Sequence, residues 1–156
     1  MTHKETKFAP KIALYQPDIP QNTASIIRTC SCLGIMLEII EPCGFIISDR
    51  KFKRVVMDYY DAKNIQFYKS PEDFFISKRN KRIILMTTKS KKSYKDFLFK
   101  KSDTVLFGNE SSGVPTSVHK KVRNRLTIPM MNKKRSLNLS SSVSIVISKI
   151  LNQTNF

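Results

Sequence analysis

The sequence predicts an α/β fold in which one mostly parallel sheet is flanked by helices. Three observations predict it. Short apolar segments alternate with segments of helical period along the chain. RIILMTT (82–88) and DTVLFG (103–108) read as strands buried within a sheet. Several helices between them carry legible ends. At 156 residues the chain can bury a real core as a single domain. Residues 1–10 read as a flexible lead-in and 11–156 as that domain.

KIALYQP (11–17) is a first strand, stopped by Pro17. DIPQNTASIIRTCSCLG (18–34) is a helix that Asn22 or Thr23 can cap, with Gly34 at its C-terminal stop. Ile26, Ile27, Cys30 and Leu33 form its core stripe, and Arg28 falls on the opposite face. LEII (37–40) is a second strand. DRKFKRVVMDYY (49–60) is a basic helix with Phe52, Val55, Val56 and Tyr59 inward. IQFY (65–68) is a third strand. SPEDFFISK (70–78) is a helix with Ser70 as cap, Pro71 at its first position and acids in its first turn. After the two buried strands come a helix from Pro115 to about Arg123 and a strand RLTIPM (125–130). The last helix starts near Asn138. Its stripe is Leu139, Val143, Val146 and Ile150, and Ser136 and Asn138 are candidate caps.

The charge balance narrows function. There are 28 Lys+Arg against 12 Asp+Glu, a net charge of +16. A field of that sign attracts polyanions, and a nucleic acid is the expected partner. The cations cluster at RKFKR (50–54), KRNKR (78–82), KSKKSYK (89–95), KKVRNR (120–125) and KKR (133–135). No apolar run approaches the roughly 20 residues of a membrane span, and the N-terminus lacks the apolar core of a secretory signal. Cys30, Cys32 and Cys43 lack zinc spacing and read as buried free thiols of a reducing cytoplasm, so no metal is expected. Neither His3 nor His119 has an obvious nucleophile partner, which argues against a Ser-His-Asp hydrolase. Neither a P-loop nor a GxGxxG fingerprint is present.

In an open parallel sheet, ligands bind beyond the carboxyl ends of the strands. Three such ends carry suggestive loops: MTTKS (86–90), FGNESSGVP (107–115) and IPMMNKKRSLN (128–138). Gly108 follows its strand directly, where a missing side chain lets a ligand approach the backbone.

NTASIIR (22–28), LFGNESSGVP (106–115) and IPMMNKKRSLNLSSSVSIV (128–146) stand in the order and spacing of three motifs of one family. By them the chain resembles the SPOUT superfamily of RNA methyltransferases, and within it the TrmL-type tRNA 2′-O-methyltransferases. The likeness runs from Lys11 to Ile150, with IIEPCGF (39–45) and MDYYD (57–61) as matching flanks. It implies an α/β fold with a C-terminal trefoil knot, and S-adenosyl-L-methionine as methyl donor. It also implies a homodimer with its site at the interface. Cofactor contacts carry over to Met86, Gly108, Ile128 and Ser136, with Leu137 and Asn138 alongside. Arg28 matches the motif-one arginine, which acts on a ribose 2′-hydroxyl, and Asn22 shapes that loop. Glu110 matches the motif-two glutamate, expected to order the pocket, and Arg135 is a candidate phosphate contact.

The chain departs from the family pattern at Ala24 and Ser25, where NTGN is usual, and at Asn109, where Pro is usual. Ser148 and Lys149 stand in place of a Tyr-Glu pair. Relatives that methylate ribosomal RNA often carry added RNA-binding domains. The length here matches the minimal TrmL type, whose target is the wobble ribose of tRNA. The alternatives are 2′-O-methylation at another tRNA or rRNA site, and a non-catalytic knotted RNA-binding protein.

Overall fold

The computed structural model describes residues 10–56, 59, 63–131 and 136–155. Its six strands are β1 (Lys11–Tyr15), β2 (Met36–Ile40), β3 (Ile65–Tyr68), β4 (Ile83–Met86), β5 (Thr104–Phe107) and β6 (Asn124–Leu126). They form one sheet in the order β3-β2-β1-β5-β4-β6, and every pairing is parallel. The helices are α1 (Pro20–Leu33), α2 (Arg50–Val56), α3 (Pro71–Ser77), α4 (Thr116–Lys121) and α5 (Leu139–Thr154).

Strand alternation divides the core in two, because successive side chains point to opposite faces. Ile12, Leu14, Leu37, Ile39, Ile84, Met86, Val105 and Phe107 join the core beneath α1, α2 and α5. Ala13, Tyr15, Ile40, Leu85 and Leu106 join the core beneath α3 and α4. All of these are buried, so the strands are covered on both faces, as a parallel sheet requires.

Several ends match the sequence reading. Ser70 caps α3 by accepting from the backbone N–H of Asp73 at 3.1 Å, and Gly34 closes α1 in the left-handed conformation. Val143, Val146 and Ile150 of α5 are fully buried.

Other boundaries differ. Neither Asn22 nor Thr23 caps α1. The helix begins at Pro20, whose ring presets the first helical turn, and both residues lie buried inside it. In α2, Phe52 and Val56 turn inward, but Val55 is 61% exposed. A short surface helix buries one i, i+4 pair, and Val55 falls beside that pair rather than within it. Residues 57, 58, 60 and 61 of the MDYYD flank lie outside the described residues, as do His3 and the rest of the lead-in to residue 9. The last strand ends at Leu126 instead of Met130. Beyond it Thr127 pairs with the loop after β4, its N–H donating to the Lys92 carbonyl at 2.8 Å while its carbonyl accepts from Tyr94 N–H at 3.0 Å. Pro129 then has no N–H to continue a ladder. Cys30 is buried, and burial pushes its thiol up to about 12, but Cys32 is exposed.

The core beneath α3 holds a buried charge. The Glu38 side chain on β2 is 0% exposed, and Lys78 at the end of α3 donates to its Oε1, joined by the Tyr68 hydroxyl at 3.3 Å. Burial pulls the Lys78 pKa down, and Glu38 opposes that shift. Removing Lys78 leaves the buried Glu38 carboxylate only the Tyr68 hydroxyl and the longer contact to Lys11 Nζ at 3.9 Å. Lys78→Met should therefore lower stability by about 3 kcal/mol or more, and adding Glu38→Met should restore most of it. Denaturant midpoints measure both; a single-variant loss below about 1 kcal/mol would show the pair to be solvated.

Candidate active site

The sheet order brings the carboxyl ends of β5, β4 and β6 side by side. The three loops marked in the sequence leave from these ends and surround one cavity of about 530 Å³. Met86, Gly108, Ile128, Ser136, Leu137 and Asn138 all line it, together with Asn22 and Glu110. Ile19, Thr87, Thr88, Lys89, His119 and Met130 also line it and were not singled out from the sequence. For the threonines and Lys89 the signal was present, since MTTKS was marked as a strand-end loop. Ile19 and His119 carried none. His119 is partly buried, and burial, with Lys89 and Arg125 nearby, lowers its pKa.

The loop after β5 explains its own glycines. Asn109 and Gly113 exchange backbone hydrogen bonds at 3.0 and 3.1 Å, and Asn109 Oδ1 accepts from Ser112 N–H at 2.8 Å. This folds the loop back so closely that a Cβ on Gly108 would lie 2.6 Å from the Gly113 backbone. Gly113 itself has φ +67°, which favours glycine. Gly108 is thus required first by its own loop. The turn projects Glu110 toward the start of α1.

Glu110 joins the three motifs. Its carboxylate accepts from the backbone N–H groups of Asp18 at 2.8 Å and Ile19 at 3.2 Å, and from Asn22 Nδ2 at 3.3 Å. A carboxylate can only accept, so the Asn22 amide must present its NH₂ there. Its carbonyl is then left to accept from Asn138 Nδ2, at 2.9 Å. Asn138 in turn is left with its carbonyl oxygen, which accepts from Ser140 N–H at 2.9 Å and Ser141 N–H at 3.3 Å. That cap opens α5. A single directed chain therefore runs from the β5 loop through α1 to the last helix. Gly44 supports it from below. Its N–H donates to the Pro17 carbonyl at 2.9 Å, and a Cβ there would lie 2.9 Å from Asp18 Cα.

Two sequence candidates stand apart. Arg28 does not line the cavity. It is exposed on α1, its guanidinium carbon 4.8 Å from the centroid of the Tyr59 ring, a cation–π contact. Arg135 lies outside the described residues. Among the described residues no group of three His, Cys, Asp or Glu could hold a metal ion.

The chain is 42% identical over 144 residues to a tRNA (cytidine(34)-2′-O)-methyltransferase of Beijerinckia indica, covering 91% of this chain and 90% of that protein. A solved structure described as giving structural insights into the 2-OH methylation of C/U34 on tRNA superposes with a TM-score of 0.87 at 34% identity. It covers 93% of this chain and 95% of that one. The SpoU methyltransferase AviRb from Streptomyces viridochromogenes, solved in complex with the cofactor AdoMet, shares the fold at 22% identity. Its TM-score is 0.79 over 94% of this chain and 58% of that one. Residues 9–148 match the SpoU rRNA Methylase family, and with these relatives aligned over most of its length the chain belongs to that family.

Proposed function

We propose that this protein transfers a methyl group from S-adenosyl-L-methionine to the ribose 2′-hydroxyl of the wobble nucleotide, position 34, of tRNA. The observation that carries the reading is the cavity in which all three motifs meet, tied by Glu110, Asn22 and Asn138. The likeness to the Beijerinckia indica enzyme adds the substrate class. The reading includes the knotted passage of the C-terminal segment. It is supported by Ile128, Met130, Ser136, Leu137 and Asn138 sharing one cavity with the β5 loop. A cytoplasmic location goes with such a substrate, and no helix among the described residues is long and apolar enough to cross a membrane.

The cavity suits the methyl donor. Its volume lies in the ordinary range for small-ligand sites. Met86, Ile128 and Leu137 offer apolar wall for a purine, while Thr87, Thr88 and Ser136 offer hydroxyls. When bound, the donor supplies an electrophilic methyl on a sulfonium centre, and the departing thioether is neutral, so the step needs no metal. Glu110 has its oxygens committed to three N–H donors, which supports a role in ordering the pocket. Ser136→Trp fills the cavity from an exposed position, and calorimetry should show donor binding lost while the thermal midpoint holds within a few degrees.

Arg28 supplies the charge on the RNA side. A guanidinium is a donor with no acceptor lone pair to take a proton, so it is a poor general base. It orients the 2′-hydroxyl and stabilises the alkoxide that develops as the proton passes to a neighbouring RNA phosphate and on to solvent. Within one chain Arg28 points away from the cavity, so we infer a homodimer in which Arg28 of the partner subunit completes each site. Exposed Ile19 and Leu137 at the cavity rim support this, as do Ser141, Ser144, Ile145 and Ser148 along the open face of α5.

Arg28→Ala should reduce methyl transfer about 100-fold or more with donor binding unchanged. Mixing Arg28→Ala with Ser136→Trp under subunit exchange should restore about a quarter of normal activity, because half the dimers then hold one intact site. No recovery, with exchange verified, would place Arg28 and the cavity in the same subunit.

The substrate is tested with tRNA bearing a single 2′-deoxy substitution at the wobble nucleotide. It should still bind, because the phosphates remain, and accept no methyl, because the nucleophile is gone. Continued methylation would move the acceptor to a base atom or another ribose. Methyl transfer at a different position of tRNA or rRNA would favour the alternative site specificity, and absence of any transfer would favour a binding protein.

A further inference from the structure

Four of the five basic clusters lie among the described residues, and they do not share one surface. Two of them, KSKKSYK and KKVRNR, lie about thirty residues apart in the chain and are brought together by the sheet. Met86 stands beside Leu126 in the β4–β6 ladder, and the flanking loops continue the pairing. Ser90 Oγ donates to the Arg125 carbonyl at 2.7 Å, and Thr127 N–H to the Lys92 carbonyl at 2.8 Å. The result is a cleft of about 630 Å³ between α4 and the loop after β4. Its cations are Lys89, Lys91, Lys92, Lys120, Arg123 and Arg125, and no carboxylate lines it.

This cleft is continuous with the candidate active site. Thr87, Lys89 and His119 line both. At its far end Arg123 and Asn124 pass into a second basic depression, which the KRNKR segment walls with Arg79 and Lys81. There two cations are already committed, Lys78 to Glu38 and Arg82 to Asp103 through a forked pair at 2.6 and 2.7 Å. The uncommitted charge is therefore densest next to the active-site cavity. The two depressions lie along the β6 edge of the sheet, from the carboxyl end of β4 to its amino end. Four strand residues at about 3.3 Å each make this path on the order of 13 Å long. The cluster on α2 stands on the opposite face of the sheet, beside α1.

We infer that this groove is the track for the sugar–phosphate backbone of the RNA strand leading into the active site. The inference rests on the function proposed above. A concave, carboxylate-free row of exposed lysines and arginines suits a polyanion followed over several phosphates. Its opening into the cavity through Lys89 and His119 suits a strand whose neighbouring nucleotide is the one being modified. A basic surface that served only general attraction would need no such continuity.

The test uses two charge reversals in the full chain that change net charge equally. One is Lys120→Glu with Arg123→Glu in the groove; the other is Lys51→Glu with Lys53→Glu on α2. All four side chains are exposed, so folding should be preserved in both. Binding of tRNA is measured over a series of salt concentrations, alongside calorimetry with S-adenosyl-L-methionine. The groove pair should weaken tRNA binding at least about tenfold and flatten the salt dependence by about one to two units of slope. Donor affinity should stay within about twofold. The α2 pair should cost less than about threefold. Equal losses from both pairs, or no loss from the groove pair, would overturn the track. Should the groove pair fail to fold, Lys91→Ala with Lys120→Ala gives the same comparison, with a smaller expected loss of about three- to fivefold. The two readings fail separately. Groove-dependent binding without methyl transfer by the wild-type chain rejects the activity and keeps the track. Methyl transfer that is indifferent to the groove variants rejects the track and keeps the activity.

Discussion

The inability of an ionised carboxylate to donate a hydrogen bond sets the order of the whole site. Glu110 takes three N–H donors, and that choice fixes which end of the Asn22 amide faces it. Asn22 then dictates Asn138, and Asn138 caps α5. Each member has one remaining way to be satisfied once the previous one is placed. The chain is partly buried, where a reversed amide would leave two donors or two acceptors in opposition. The same bonds that close the helix ends therefore hold three distant sequence segments at one cavity. Asn138 at the head of the last helix is explained twice: as a cap, and as the far end of this chain.

The sheet makes that meeting possible. Because all pairings are parallel, all strand ends of one polarity lie at one edge. Because β5 inserts between β1 and β4, the loop bearing Glu110 emerges directly beside the turn into α1. A simple sequential order would have separated them by the three strands β2, β3 and β4. Gly108 and Gly113 tighten the β5 loop until it can reach, and Gly44 holds the opposite turn in place. Local turn geometry and global order serve the same contact.

Electrostatics divide into two kinds. Glu38 with Lys78 and Asp103 with Arg82 are charges that the fold consumes, at least one partner of each pair being fully buried. Lys89, Lys91, Lys120 and Arg123, which line the groove, are exposed and face a partner. Sorting the basic residues this way turns a diffuse excess of +16 into a directed surface: a groove beside the cavity, distinct from the cluster on α2. Arg28 belongs to neither group. Its guanidinium rests on Tyr59, away from the cavity of its own chain, which is why the proposed chemistry calls for a second copy.

The sequence by itself determined the alternation of strands and helices, because periods of 2 and 3.6 are local properties of the backbone. It also determined the cap at Ser70, the stop at Gly34 and the stripe of α5, which depend on neighbours within a turn. The motif order marked the loops that meet at the cavity. Only the tertiary structure decided the rest. Asn22 looks like a helix cap in sequence, yet its amide is claimed by Glu110 and Asn138 from segments 88 and 116 residues away. Val55 looks inward, yet a short surface helix buries only one pair. The strand RLTIPM stops early because Thr127 finds its partners in another loop. Ile19 and His119 reach the cavity with no local signal at all. Except at Val55, the deciding partner is remote in sequence, and periodicity and propensity see only what lies within a few residues.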